Sequence, residues 1–177
     1  MDFNKKLFQW YNIHKRDLPW RETNDPYLIW VSEIILQQTR ISQGISYYYC
    51  FVDQFPNIGS LARATEQEVL KVWQGLGYYS RARNMHSTAR EICRFYNSVF
   101  PDTYDEIKKL KGIGKYTAAA ILSFAFNKCY PVVDGNVSRF VSRFSGIFDP
   151  IDSSAGKKQV YSFLNETIDK DFPGLFN

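Results

Sequence analysis

The sequence predicts an all-α protein built from many short helices. Three observations carry this. Apolar residues recur at intervals of three and four along most of the chain, the helical period. No alternating run is long enough for a strand: PVV at 131–133 is too short, and Tyr47, Tyr48 and Tyr49 fall inside a helical pattern. Helix stops and turn residues, among them Pro56, the GLG at 75–77, Pro101 and the GIG at 112–114, cut the pattern into short pieces.

Composition narrows the class. The 177 residues are 45% hydrophobic and 23% charged, globular values that exclude disorder, collagen and coiled coil for the whole chain. No stretch approaches the ~20 apolar residues of a membrane span, and MDFNKKLFQW lacks a signal-peptide core, so a cytoplasmic protein is expected. The 3 cysteines, Cys50, Cys93 and Cys129, share no ligand spacing with each other or with the 2 histidines, and are expected to be reduced core residues. A net charge of +4 permits a polyanion partner without requiring one.

The elements follow in order. Residues 3–14 put Phe3, Leu7, Trp10 and Tyr11 on one face of a helix. LPWRETNDPY is a loop held by Pro19 and Pro26. Helices are predicted over 27–39 and 42–54, then two short ones, the second opened by Thr65 and Glu68 at capping-box spacing. After the GLGYY turn, Ser80 caps a helix to about Asn97, with Ala82, Met85, Ala89, Ile92 and Cys93 inward. DEIKKL is short, KGIGK is a turn, and YTAAAILSFAF is a helix of small residues suited to close packing. A helix starts near Asn136, and the last runs over 153–170 on Val160, Phe163, Leu164 and Ile168. Leu175 and Phe176, after the helix stop in DFPGLFN, predict an apolar patch covered by a further helix beyond the end.

Three places can carry chemistry. In LKGIGKYTAAAI, Gly112 and Gly114 allow a sharp turn whose following helix presents free N–H groups, an anion site to which Lys111 and Lys115 add charge; a plain turn fits equally. The arginines at 81, 83 and 90 and the lysines at 108, 109, 111 and 115 suit a phosphate surface or an ordinary solvated helix face. Asp134 in PVVDGN is either a helix cap or a carboxylate held at the mouth of a pocket. Glu33 lies in IWVSEIILQQT, a helix apolar on most sides, where a carboxyl must be paired or protonated. Gln37 is one turn further on the same face. An ion pair with an arginine is the structural alternative for Glu33.

Together these pieces resemble one family. LKGIGKYTA followed by VVDGN resembles the signature of the helix–hairpin–helix DNA glycosylases, the endonuclease III superfamily; LPWR, SEIILQQT and GLGYYSRARN are similar to its MutY adenine-glycosylase branch. The four motifs occur in family order over nearly the whole chain. The resemblance implies a two-lobed fold: a helical barrel over 25–130, and a second lobe from 1–24 and 131–177. It implies a monofunctional adenine glycosylase of base excision repair acting on adenine opposite guanine or 8-oxoguanine. Asp134 matches the catalytic aspartate, with Asn136 beside it, and Glu33 the acid that protonates adenine. Gln38 and Tyr78 match a pair that wedges into the duplex, with Gln37 beside them. Trp20, Arg21 and Leu36 match residues around the flipped base. Backbone carbonyls of Lys108, Leu110 and Ile113 match those that hold a monovalent cation. Tyr116 stands where bifunctional lyases carry a Schiff-base lysine. The family's 4Fe–4S cluster would use cysteines beyond residue 177, so none is expected on this stretch. The implied partner is double-stranded DNA carrying a mispair or oxidised guanine, met by a monomer at the nucleoid. A thymine-mismatch glycosylase of the same superfamily and a non-catalytic DNA-binding module are the alternatives.

Overall fold

A computed structural model describes residues 3–177; Met1 and Asp2, assigned above to the second lobe, lie outside the described residues. The fold is all-helical, as the periodicity predicts. Its helices are α1 (Phe3–His14), α2 (Pro26–Ile35), α3 (Ile41–Gln54), α4 (Ile58–Arg63), α5 (Glu66–Val72), α6 (Ser80–Phe95), α7 (Tyr104–Lys109), α8 (Lys115–Phe126), α9 (Gly135–Ser145), α10 (Ser154–Thr167) and α11 (Pro173–Phe176), with a 3₁₀ turn at Pro19–Arg21.

Local chemistry explains most helix starts. Asp25 accepts the Tyr27 N–H ahead of Pro26 at the first helical position. Asn57 and Thr65 each form a reciprocal capping box, the latter with Glu68 as predicted. Ser80 differs from expectation. It is the first residue of α6 rather than its cap, because Tyr79 is already helical and Arg81 N–H bonds to the Tyr78 carbonyl. The helix expected over 27–39 stops at Ile35: Gln38 takes φ +60°, and the Arg81 side chain occupies the carbonyls of Ile34, Ile35 and Gln37. Gln37 therefore sits past the helix end, and it does not line the cleft that Glu33 lines.

Two apolar clusters organise the molecule. The larger joins α2 through α8 and buries Trp30, Phe51, Leu61, Trp73, Met85 and Ile121 almost completely. At ~25 cal/mol per Å² of apolar area removed from water, such rings and branched chains each contribute a few kcal/mol. The smaller gathers Val141, Val160, Leu164, Ile168 and Phe176, with Phe3, Leu7 and Phe8 of α1 packed against them. Asn4 Nδ2 donates to the Thr167 carbonyl at 3.0 Å, tying α1 to α10. Trp20 packs on the larger cluster, its ring edge-on to Tyr48.

Some side chains go elsewhere than expected. Trp10 is exposed and stacks on His14, because Phe8 rather than Trp10 completes the partly buried stripe of α1. Cys50 and Cys129 are exposed and Cys93 is only partly buried, so the cysteines are not core residues. Phe176 is buried in the smaller cluster, whereas Leu175 remains 37% exposed; the expected patch is thus half filled from within, by the unforeseen α11. Gly174 makes that docking possible: a Cβ there would lie 2.9 Å from the Ser123 carbonyl oxygen of α8.

Candidate active site: a cleft with two carboxylates

A cleft of about 500 Å³ lies between the α2–α8 pair and the segments 15–24, 132–137 and 174–177. Glu33, Asp134, Tyr116, Trp20 and Arg21 all line it. Residues distant in sequence thereby meet in one place. Leu36, Gln37, Gln38 and Tyr78 lie outside the lining. Leu36, just past the end of α2, turns its side chain onto α3, where its Cδ2 fills the space a Cβ at Gly44 would need.

The two carboxyls have opposite surroundings. Glu33 projects from α2, whose neighbouring residues Val31, Ser32, Ile34 and Ile35 are buried. Desolvation pushes its pKa up to about 7; the nearby Asp134 charge adds to this, and hydrogen bonding from the Tyr116 hydroxyl pulls it partly back. The Tyr116 phenol is itself pushed well above its usual value, by burial first and then by the Glu33 and Asp134 charges, so it stays a proton donor. Asp134 is the N-cap of α9. Its Oδ1 accepts the Val137 N–H at 2.7 Å and its Oδ2 accepts Asn136 Nδ2 at 3.1 Å. Cap and cleft carboxylate, posed above as alternatives, are therefore one residue in one position. Asn136 is exposed outside the cleft, and its Oδ1 accepts from Arg139 at 2.6 Å.

The rim is mixed in charge. Lys15, Arg16 and Arg21 line it together with Asp17 and Glu22; Arg21 donates to the Arg16 carbonyl and lies over the Tyr11 ring. The sequence reading missed Tyr11, Lys15, Arg16 and Asn177 as lining residues. Asn177 spans the floor, donating to Ser123 Oγ and the Tyr130 carbonyl while accepting the Val132 N–H. The KRDLPWR run offered a faint signal for the rim; nothing local marks Asn177.

The turn between α7 and α8 stands apart from the cleft lining except at Tyr116. Gly112 has φ +79°, and a Cβ there would lie 2.8 Å from the Cβ of Asn84, so this position is restricted to glycine twice over. Thr88 Oγ1 holds the Lys111 carbonyl at 2.8 Å, fixing the turn to α6. Gly114, the N-cap of α8, offers no side-chain acceptor to the first-turn N–H groups, and a Cβ there would meet open space. With Lys111 and Lys115 exposed beside it, this end of α8 can receive an anion.

A partly buried carboxyl with a raised pKa and a partly exposed, helix-capping one thus line a single cleft, two environments that suit one to hold a proton and the other to stay ionised. The model of the HhH-GPD superfamily base excision DNA repair proteins matches residues 31–168, and the chain belongs to that superfamily. An adenine DNA glycosylase of Buchnera aphidicola from Acyrthosiphon pisum is 39% identical over 176 residues, 99% of this chain and 50% of that protein. Its counterpart from the Baizongia pistaciae symbiont is 41% identical over 97% of this chain and 47% of that one. This chain thus spans about half the length of the curated relatives it matches. A thermostable thymine-DNA glycosylase of solved structure superposes with a TM-score of 0.85 at 27% identity, covering 98% of this chain and 82% of that one. Among the described residues no helix is long and apolar enough to cross a membrane, and no three His, Cys, Asp or Glu side chains gather as metal ligands.

Proposed function

We propose that this chain is the catalytic portion of a monofunctional DNA glycosylase that removes adenine mispaired with guanine or 8-oxoguanine. The observation that carries this reading is that Glu33, its carboxyl pushed up to about 7 by burial, lines one cleft with Asp134. Adenine leaves poorly as an anion, and an acid with a pKa near 7 is suited to protonating a ring nitrogen as the bond to C1′ breaks. The bonding pair departs with the base, leaving an oxocarbenium-like sugar beside the Asp134 carboxylate, which balances its charge. Water then adds its hydroxyl to C1′, and its proton replaces the one Glu33 gave up. The base must first leave the stack, with Gln38 and Tyr78 filling the gap and Trp20, Arg21 and Leu36 near the extruded base. The α7–α8 turn grips phosphate through Gly112, Gly114, Lys111 and Lys115, and the carbonyls of Lys108, Leu110 and Ile113 would hold a monovalent cation. The Leu110 oxygen accepts the Ile113 N–H and keeps a second lone pair for that ion. Tyr116 cannot form an imine with the sugar aldehyde, so no strand cleavage accompanies base release.

Cys50, Cys93 and Cys129 sit on three separate elements, α3, α6 and the 127–134 connector. This reading leaves the cluster to cysteines beyond Asn177. Similarity to the thymine-DNA glycosylase structure supports a second reading, a T:G enzyme on the same scaffold. Base release by the full-length protein on duplexes carrying A:8-oxoguanine, A:G and T:G separates the two. Adenine release supports the first; thymine release alone supports the second; binding without release of either base refutes both. A borohydride-trapped adduct with abasic DNA would overturn the monofunctional assignment.

A further inference from the structure

We infer that Arg81 is a positioning residue that locks the 36–38 turn and the 76–78 turn into one rigid probe. Arg81 stands at the second position of α6. Its Nη1 donates to the carbonyls of Ile34 at 2.8 Å, Ile35 at 3.1 Å and Gln37 at 2.6 Å. Its Nη2 donates to those of Leu76 at 3.3 Å and Gly77 at 3.4 Å. The guanidinium carbon lies 5.2 Å from the ring centroid of the buried Trp73 and 5.7 Å from that of the exposed Tyr78. Its Nε is buried without a partner, so this is not a solvated surface arginine. These geometric partners are main-chain oxygens, three of them at the C-terminus of α2, where unpaired carbonyls attract a cation.

The two turns need such a clamp. Gln38 has φ +60° and Tyr78 φ +47°, left-handed conformations that side-chain-bearing residues adopt at a cost and keep only when their surroundings enforce them. Each turn presents its strained residue outward, and Tyr78 is 65% exposed. One planar fork joins both: one nitrogen serves each turn, and the faces contact Trp73 and Tyr78. A lysine ammonium has neither the fork nor the flat face. Because α6 also holds the Lys111 carbonyl through Thr88, one helix aligns the probe and the phosphate-gripping turn.

That the probe enters DNA rests on the function proposed above; that Arg81 couples the turns does not. Hydrogen exchange on full-length wild-type, Arg81→Ala and Arg81→Lys proteins tests the coupling. Amides of 36–39 and of 75–79 are expected to lose protection together in both variants, while those of α8 keep theirs. Loss in one turn only, in neither, or equally throughout the molecule overturns the proposal, as does full protection in Arg81→Lys. Single-turnover base release tests the consequence. On a paired duplex Arg81→Ala is expected to fall roughly tenfold to a hundredfold. On adenine in a single-nucleotide bulge, already unstacked, it is expected near the wild-type rate. Adding Arg81→Ala to a Gln38→Ala/Tyr78→Ala protein is expected to cost nothing more; an equal loss in both backgrounds overturns the positioning role. If the Gln38→Ala/Tyr78→Ala protein itself keeps the wild-type rate, the wedge reading fails, and the exchange data still decide the clamp.

Discussion

The two walls of the cleft are made of different material. On one side Glu33 stands on α2, which is buried between α3 and α8 in the larger cluster. On the other, Asp134 opens α9, whose outer face carries the exposed Phe140 and Phe144 stacked on each other. The first wall is mostly apolar, and burial there pushes the Glu33 carboxyl up to about 7. The second supplies hydrogen bonds from Val137 and Asn136 to a carboxylate. Two residues of one chemical type acquire different capacities from what surrounds them.

The sharpest way to break this contrast is to remove one carboxyl at a time in the full-length protein. Asp134→Asn and Glu33→Gln are each expected to lower single-turnover adenine release by ~10³-fold or more. Asparagine caps helices as well as aspartate does, so Asp134→Asn should keep its melting temperature and duplex affinity. Wild-type release by either variant would end the two-carboxylate mechanism.

Packing offers a second contrast, read by denaturant unfolding. Trp30→Ala, in the larger cluster, is expected to cost ~3–5 kcal/mol. Phe144→Ala, 57% exposed on α9, is expected to cost ~1 kcal/mol or less. Equal costs would mean that the second wall is packed as tightly as the first.

Titration sharpens the contrast further. The Glu33 carboxyl binds its proton more tightly folded, at about 7, than at its ordinary 4.5. Its contribution is therefore fully present below pH 4.5 and is lost as pH rises through 7. Above that range, ionising it costs about 3 kcal/mol, so Glu33→Gln should be the more stable protein at pH 8 by up to that amount. Base release should also decline above pH 7 as the acid loses its proton. Parallel pH–stability curves for the two proteins would contradict the desolvation of Glu33.

The smallest expected effect separates the two turn glycines. Gly114→Val meets open space and should leave stability near wild type while weakening binding to all duplexes alike, by about tenfold, because phosphate contacts carry no sequence information. Gly112→Val should instead lower stability, by ~1–3 kcal/mol for its left-handed φ, before any DNA is added. Sequence-dependent binding loss in Gly114→Val would remove the turn from the phosphate surface.

Much of this was legible along the chain because its causes are local. A capping box needs only Thr65 and Glu68 three residues apart, and the stripe of α10 only Val160, Leu164 and Ile168 at helical spacing. Glu33 stood out as a carboxyl in an apolar helix, and Asp134 as an acid before a helix start. Errors fell where a distant group intervened. Trp10 lost its place on the inner face because Phe8 fits the smaller cluster, and Phe176 found cover because Gly174 lets α11 approach α8.

By itself, then, the sequence determined the helical class, the starts and faces of most helices, the glycine demanded at 112 and the residue types available for chemistry. Each depends on interactions among residues within about four positions of one another, the approach of Asn84 to Gly112 aside. Only the tertiary structure decided that α2 stops at Ile35 under Arg81, that Glu33, Tyr116 and Asp134 share one cleft, and that Glu33 holds its proton near neutrality. The physical reason is that desolvation and charge–charge coupling sum over everything packed nearby, and what is packed nearby is brought there by contacts far apart in sequence.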